Sequence, residues 1–140
     1  MKRIIISLLV LIIAISLTAC SLGNSNNLAG TSWILNSWEN ETLSPMAYGI
    51  TLEFEHDGSV TGKSAVNGYG SAYKIKKNDA LTFNNTTITE MASIDDKRNQ
   101  VEAIYMKLLS EVDYYKVNGE NLTLINKDKN EIMTFHAVRK

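Results

Sequence analysis

Ala65-Val66-Asn67-Gly68-Tyr69-Gly70-Ser71-Ala72-Tyr73 is the run on which the reading of the whole chain turns. Side chains along an extended segment alternate between faces. Asn67, Tyr69, Ser71, Tyr73 and Ile75 therefore share one face, while Gly68, Gly70 and Ala72 leave the other nearly bare. A strand with one bulky face and one bare face suits close approach by another backbone or a packed helix. Further along, Thr89-Glu90-Met91-Ala92-Ser93 closes the run of strands and leads into a different periodicity.

Before this strand, Leu52 and Phe54 alternate with Thr51, Glu53 and Glu55, and Asp57-Gly58 is a hairpin turn into Ser59-Val60-Thr61. Trp33 to Trp38 reads as a strand with Trp33 and Leu35 on one face, followed by a loop over Asn40 to Pro45. After it, Lys77-Asn78-Asp79 turns the chain, Leu81 and Phe83 alternate with Ala80 and Thr82, and Asn84-Asn85 predicts a second turn. Val101, Ile104, Tyr105, Leu108, Leu109 and Val112 then recur at three and four residues, a helical stripe whose other face carries Asp96, Lys97, Arg98, Glu102, Lys107 and Glu111. Ser93 with Asp96 predicts a capping box, hence a helix starting just after Ser93. Tyr114 to Val117, Leu122 to Ile125 and Ile132 to Val138 predict a second meander, jointed at Asn118-Gly119 and Lys127-Asp128-Lys129-Asn130. One amphipathic helix among strands must lay its stripe on the sheet. The expected fold is α+β: a curved antiparallel sheet or partly open barrel of two meanders, closed by one helix.

The N-terminus reads as an address. Met1-Lys2-Arg3 is a basic head, and Ile4 to Leu17 is apolar except for Ser7 and Ser16, the layout of a signal peptide. The run is short for a membrane-spanning helix, which needs about 20 apolar residues. It ends in Leu17-Thr18-Ala19-Cys20, which resembles a lipobox. That resemblance implies cleavage between Ala19 and Cys20, and diacylglyceryl and palmitate-type acyl chains on Cys20. The competing reading is an uncleaved anchor with an incidental cysteine. Residues 1–19 are thus expected to be signal, 20–27 a lipidated cysteine with a polar tether, and 28–140 one domain. Two acyl chains give stable membrane anchoring where one gives only marginal binding. The expected location is the bacterial cell envelope, exported and membrane-anchored.

Cys20 is the single cysteine, so the domain rests on its core without a disulfide. Losing Lys2 and Arg3 takes the positive count from 14 to 12 against 15 acids, leaving about −3. A nucleic-acid partner, which needs clustered Lys and Arg, is not expected. On net charge an anionic membrane surface does not attract the domain either. His56 reads as a turn residue and His136 as a packed or edge strand residue, and two histidines give no zinc ligand spacing. Asp95-Asp96 and Asp113 are explained by helix capping and solvation. With no nucleophile elbow and no phosphate loop, neither a catalytic residue nor a cofactor is expected, and the domain is expected to be a monomer.

Leu28, Gly30-Thr31 and Trp33 near the start, Leu52-Glu53-Phe54 with Asp57-Gly58, the central Asn67, Tyr69 and Tyr73, then Thr89, Met91 and Ala92, and finally Leu122-Thr123-Leu124 with Phe135 together resemble the META/HslJ-like domain of bacterial envelope lipoproteins. The resemblance implies a role in envelope stress, heat-shock response, antibiotic tolerance or virulence, without an assigned reaction. Family members commonly carry cysteines where this chain has Val66 and Ser93; their joint absence makes sense if the two places are close in space. Ser71 stands where the family glycine is expected. Asn67, Tyr69, Tyr73 and Met91 are the candidate binding or structural motif, with a structural role preferred for the tyrosines because aromatics on one strand face usually fill core. Two functions follow as expectations: an envelope protein acting through contact with a partner protein, or a small-molecule or lipid carrier using the barrel interior.

Overall fold

The computed structural model describes residues 28–39 and 42–139; the expected signal peptide, the expected cleavage site at Ala19 and Cys20, and the expected tether lie outside the described residues. Eight strands run in chain order and each pairs antiparallel with the next: β1 (Ser32–Trp38), β2 (Thr51–Phe54), β3 (Ser59–Lys63), β4 (Gly68–Lys76), β5 (Ala80–Ile88), β6 (Val112–Asn118), β7 (Asn121–Asn126) and β8 (Glu131–Ala137). A 3-10 turn, Met46–Tyr48, precedes β2, and one helix, α1 (Asp96–Ser110), lies between β5 and β6.

The expected open or partly open sheet is in fact a closed barrel. Closure comes from β1 pairing with β8, in register from Trp33↔Ala137 to Trp38↔Met133, a contact between opposite ends of the chain. The seam between β5 and β6 is thin, with Ala80↔Tyr114 paired and the Tyr115 amide donating to the Asp79 carbonyl at 3.0 Å.

Local chemistry sets the hairpins. Gly58 takes φ 86° while the Asp57 carboxylate accepts from the Ser59 amide and hydroxyl. Asn78 and Asp79, at φ 63° and 55°, turn β4 into β5, and these residue types tolerate the left-handed region. Asn84-Asn85, expected as a turn, lies inside β5 instead. The register shifts between Gly70↔Thr87 and Ala72↔Asn84, and Asn85 sits at φ 55°. An extra residue on one strand is a bulge, and asparagine accepts its conformation. A second shift, between Leu35 and Ser37, lets Trp38 point inward with Trp33 and Leu35 although its sequence parity differs.

The helix begins later than expected. Asp95 is the N-cap and accepts from the Lys97 amide at 2.9 Å, while the Ser93 hydroxyl accepts from the Asp95 amide at 3.1 Å. Val101, Tyr105, Leu108 and Leu109 are buried as the stripe requires, whereas Val112 is buried as the first residue of β6. The interior holds Phe54, Tyr105, Phe135, Leu52, Leu81, Leu122 and Leu124, each at most 1% exposed.

Candidate functional site

Ser64 to Asn67 is a tight link between β3 and β4. The Ser64 amide donates to the Asn67 carbonyl at 2.7 Å, and the Ser64 hydroxyl oxygen lies 2.8 Å from the same carbonyl. The link wraps the carboxylate of Glu102 on α1. Glu102 Oε2 accepts from the Ser64 hydroxyl, from the Val66 amide at 3.1 Å and from the Asn67 amide at 2.7 Å; Oε1 accepts from the Asn67 side chain at 2.7 Å. Arg98, one turn earlier on the helix, donates to the Ala65 carbonyl at 3.0 Å. Burial raises the Glu102 carboxyl, but the hydrogen bonds from Ser64, Asn67 and Val66 outweigh it and hold the group below its ordinary value.

Asn67 uses its whole amide. Besides Glu102, its nitrogen donates to the Met91 carbonyl at 2.9 Å, and its oxygen accepts from the Thr89 hydroxyl at 2.8 Å and the Met91 amide at 2.9 Å. An asparagine side chain has two donors and two acceptor lone pairs, and here all are taken. Three segments are thereby fastened at one residue: the β3–β4 link, the irregular segment between β5 and α1, and α1 itself. The same bonds hold Asn67, next to Val66, against Met91, two residues before Ser93. Met91 takes part through its backbone, and its side chain is 63% exposed.

Tyr69 belongs to the same end of the barrel. Its hydroxyl donates to the Thr51 carbonyl at 2.8 Å and meets the Tyr105 hydroxyl at 2.6 Å, with the ring planes 63° apart. Burial pushes both phenols above their ordinary range. The Tyr69 ring crosses Gly62: a Cβ there would come within 2.2 Å of the Thr51 carbonyl oxygen and 2.6 Å of the Tyr69 hydroxyl. Tyr73 lies further along β4 and is only partly buried. It packs edge-on against Phe54 at 5.0 Å and donates to the Glu55 carbonyl at 3.2 Å. Asn67, Tyr69 and the Met91 backbone thus come together against α1, and Tyr73 does not join them.

The bare face of β4, read as suited to another backbone or a packed helix, is open to solvent at Gly68. Gly68 and Gly70 face outward and floor an open groove with Thr87, Ile88 and Thr89. His56 stacks its imidazole where a side chain on Gly30 would stand, and His136 is an exposed strand residue. Glu102 and Ser64 were missed by sequence reasoning, Glu102 having been assigned to the solvent face. Its spacing held the signal: Arg98, Glu102, Tyr105 and Leu109 follow one another at four, three and four residues, which places them on one side of a helix.

The chain matches the META domain family model over residues 26–139. It belongs to the META-domain family. Among solved structures, this META domain is similar to a protein from Burkholderia xenovorans determined by NMR, at 25% identity and a TM-score of 0.66, over 81% of this chain and 85% of that one. A DUF4847-family protein from Bacteroides vulgatus shares the fold at 14% identity and a TM-score of 0.54, over 81% of this chain and 96% of that one. No curated protein matches the chain.

Proposed function

We propose that this META-domain protein is a lipid-anchored, non-enzymatic component of the bacterial cell envelope, acting through protein contacts in envelope integrity or the response to stress. The observation that carries the proposal is Leu17-Thr18-Ala19-Cys20 behind a basic head and an apolar run, joined by a short polar tether to a META domain. Two features of the domain support a contact role over chemistry or carriage. The polar groups of Asn67, Ser64, Glu102 and Tyr69 are engaged with one another and with backbone, and every buried side-chain polar atom among the described residues has a partner. The barrel interior is occupied by Phe54, Tyr105, Phe135 and the leucines around them, which weighs against a small-molecule or lipid carrier.

The test is Cys20→Ala in the native host with a clickable fatty-acid analogue. The variant is expected to lose the label and to accumulate unprocessed or be released. Labelling equal to wild type overturns the anchor. In-cell crosslinking of the intact protein with mass spectrometry then identifies the envelope protein it touches, and repeated failure to capture any one protein counts against the contact role.

A further inference from the structure

The chain holds five methionines, and the four within the described residues fall into two kinds. Met133, in β8, is 1% exposed and stands in register between Trp38 and Leu124. Met106, in α1, is partly buried against the same core. Met46 and Met91 are each 63% exposed and lie outside the strands and the α-helix. Single apolar side chains on a surface are ordinary, but these two share a way of being held. The Asn67 side chain binds both the amide and the carbonyl of Met91, each at 2.9 Å. Met46 opens the 3-10 turn, which is closed by the Tyr48 amide donating to the Pro45 carbonyl at 3.1 Å, with the Arg98 guanidinium 5.5 Å from the centre of the Tyr48 ring. Neither thioether takes part in these bonds, so both segments stay fixed whatever the sulfur becomes.

The characteristic reaction of a solvent-facing thioether is oxidation. Residues 28–139 contain no cysteine, so no thiol of the domain competes for an oxidant. With hydrogen peroxide, a sulfur lone pair attacks one oxygen: the S–O bond forms and the O–O bond breaks. The sulfur gives up two electrons, the proton of the transferred oxygen passes to the departing hydroxide, and water leaves. A sulfoxide on Met133 would put a polar group without a partner into the apolar core. On Met46 or Met91 it meets water and displaces no packing. Return to the thioether needs methionine sulfoxide reductases, one for each sulfoxide epimer. Such an enzyme must close around the side chain, which an irregular surface segment admits and the interior of a helix or strand does not.

We infer that Met46 and Met91 are sites of reversible two-electron oxidation, taking an oxygen atom from peroxide-class oxidants and open to methionine sulfoxide reductases while the barrel stays folded. Neither the lipid anchor nor a partner protein is needed for this. Met106 and Met133 are the internal controls, being the same side chain in the same molecule with the solvent removed.

The test treats the protein, purified from its host in dodecyl maltoside, with hydrogen peroxide and follows each methionine by peptide mapping and mass spectrometry. Met46 and Met91 are expected to convert at least about ten-fold faster than Met133, with Met106 slower than both, since susceptibility follows exposure. The protein oxidised at both positions is expected to keep the thermal unfolding midpoint of the untreated protein. Adding the two reductases, with a thiol as reductant, is expected to restore both thioethers. The double variant Met46→Leu with Met91→Leu, a volume-conserving change, is expected to lose the fast phase and leave the rates at Met106 and Met133 unchanged. The wild-type arms need no variant and stand even if the double change impairs folding. Conversion of Met133 as fast as Met46 and Met91, unfolding in step with their oxidation, or sulfoxides that the reductases cannot reach in the folded protein each overturn the inference. None of these results bears on acylation of Cys20, so the anchor is tested separately.

Discussion

Tyr69 and Tyr73 are the same residue type on the same strand, and the protein treats them differently. Tyr69 is 6% exposed, bonded to Thr51 and Tyr105, and lies under α1. Tyr73 sits beyond the helix, half-buried on Phe54, with its hydroxyl toward solvent and the Glu55 carbonyl. Alternation along a strand fixes which way a side chain points, but only the elements packed above it determine whether that direction is core. One helix cannot cover both ends of the barrel, so the shared face is buried at one end and half wet at the other.

The largest effect that tests this contrast is truncation. Tyr69→Ala is expected to cost about 3–5 kcal/mol, the range for removing a buried aromatic ring. Tyr73→Ala is expected to cost about 1–2 kcal/mol, the loss of partial burial and an edge-to-face contact. Denaturant unfolding of the two variants measures both. Equal costs would break the contrast.

Backbone space gives a second test. Gly62→Ala places a Cβ against the Thr51 carbonyl and the Tyr69 hydroxyl, so strand or ring must move, at a cost of roughly 2–3 kcal/mol by overpacking. Gly68→Ala meets nothing closer than the Gly62 carbonyl at 3.9 Å. It is expected to stay within about 0.5 kcal/mol, as surface changes do. A neutral Gly62→Ala would mean that the Tyr69 ring does not occupy the space above Gly62.

How much of this was legible depended on range. Asp57-Gly58, Asn78-Asp79 and Asn118-Gly119 announced their hairpins because turn chemistry is local. The helix stripe announced itself through Val101, Tyr105, Leu108 and Leu109. Barrel closure was not visible, because it rests on Trp33↔Ala137 and its neighbours, a pairing between distant residues that carries no local signature. Asn85 looked like a turn because a bulge and a turn ask the same left-handed conformation of the same residue type. The helix start was displaced because Ser93 and Asp95 are both capping residues, and only the observed bonds show which one caps. In the candidate site Asn67 and Tyr69 stood out, but their partner Glu102 was hidden among the surface charges of α1. A carboxylate becomes a keystone only when a particular loop wraps it.

The Glu102 clasp gives a pH test on the helix-covered end. Its carboxyl is held below the ordinary value of 4.5 when folded. A depressed folded value means the unfolded chain binds the proton more readily, so the contribution is fully present above the unfolded value and is lost as pH falls through the folded one. Unfolding free energy followed from roughly pH 6 down to pH 3 is expected to decline less steeply in Glu102→Gln than in wild type. Asp57 is also held low, by the Ser59 side chain and then its backbone, but it is fully exposed. Asp57→Asn is therefore expected to alter the slope less, and a larger change there would assign the acid sensitivity to the wrong end of the barrel.

The finest test separates three hydroxyls. Tyr69 has one proton, and it points to the Thr51 carbonyl; the short contact to Tyr105 must then use the Tyr105 proton, with Tyr69 accepting. Tyr69→Phe therefore leaves a donor on a fully buried Tyr105 without an acceptor and the Thr51 carbonyl without its donor, at a cost of about 1–2 kcal/mol. Tyr105→Phe removes only a bond that Tyr69 accepted, leaves Tyr69 bound to Thr51, and is expected to cost about 1 kcal/mol or less. Tyr73→Phe gives up an exposed bond that water replaces, and is expected to stay within about 0.5 kcal/mol. The double variant Tyr69→Phe with Tyr105→Phe is expected to cost less than the two single changes together, because removing both partners leaves no stranded proton. Strict additivity, or a Tyr105→Phe cost above that of Tyr69→Phe, would reverse the direction of the hydrogen bond and move the keystone of this end from the strand to the helix.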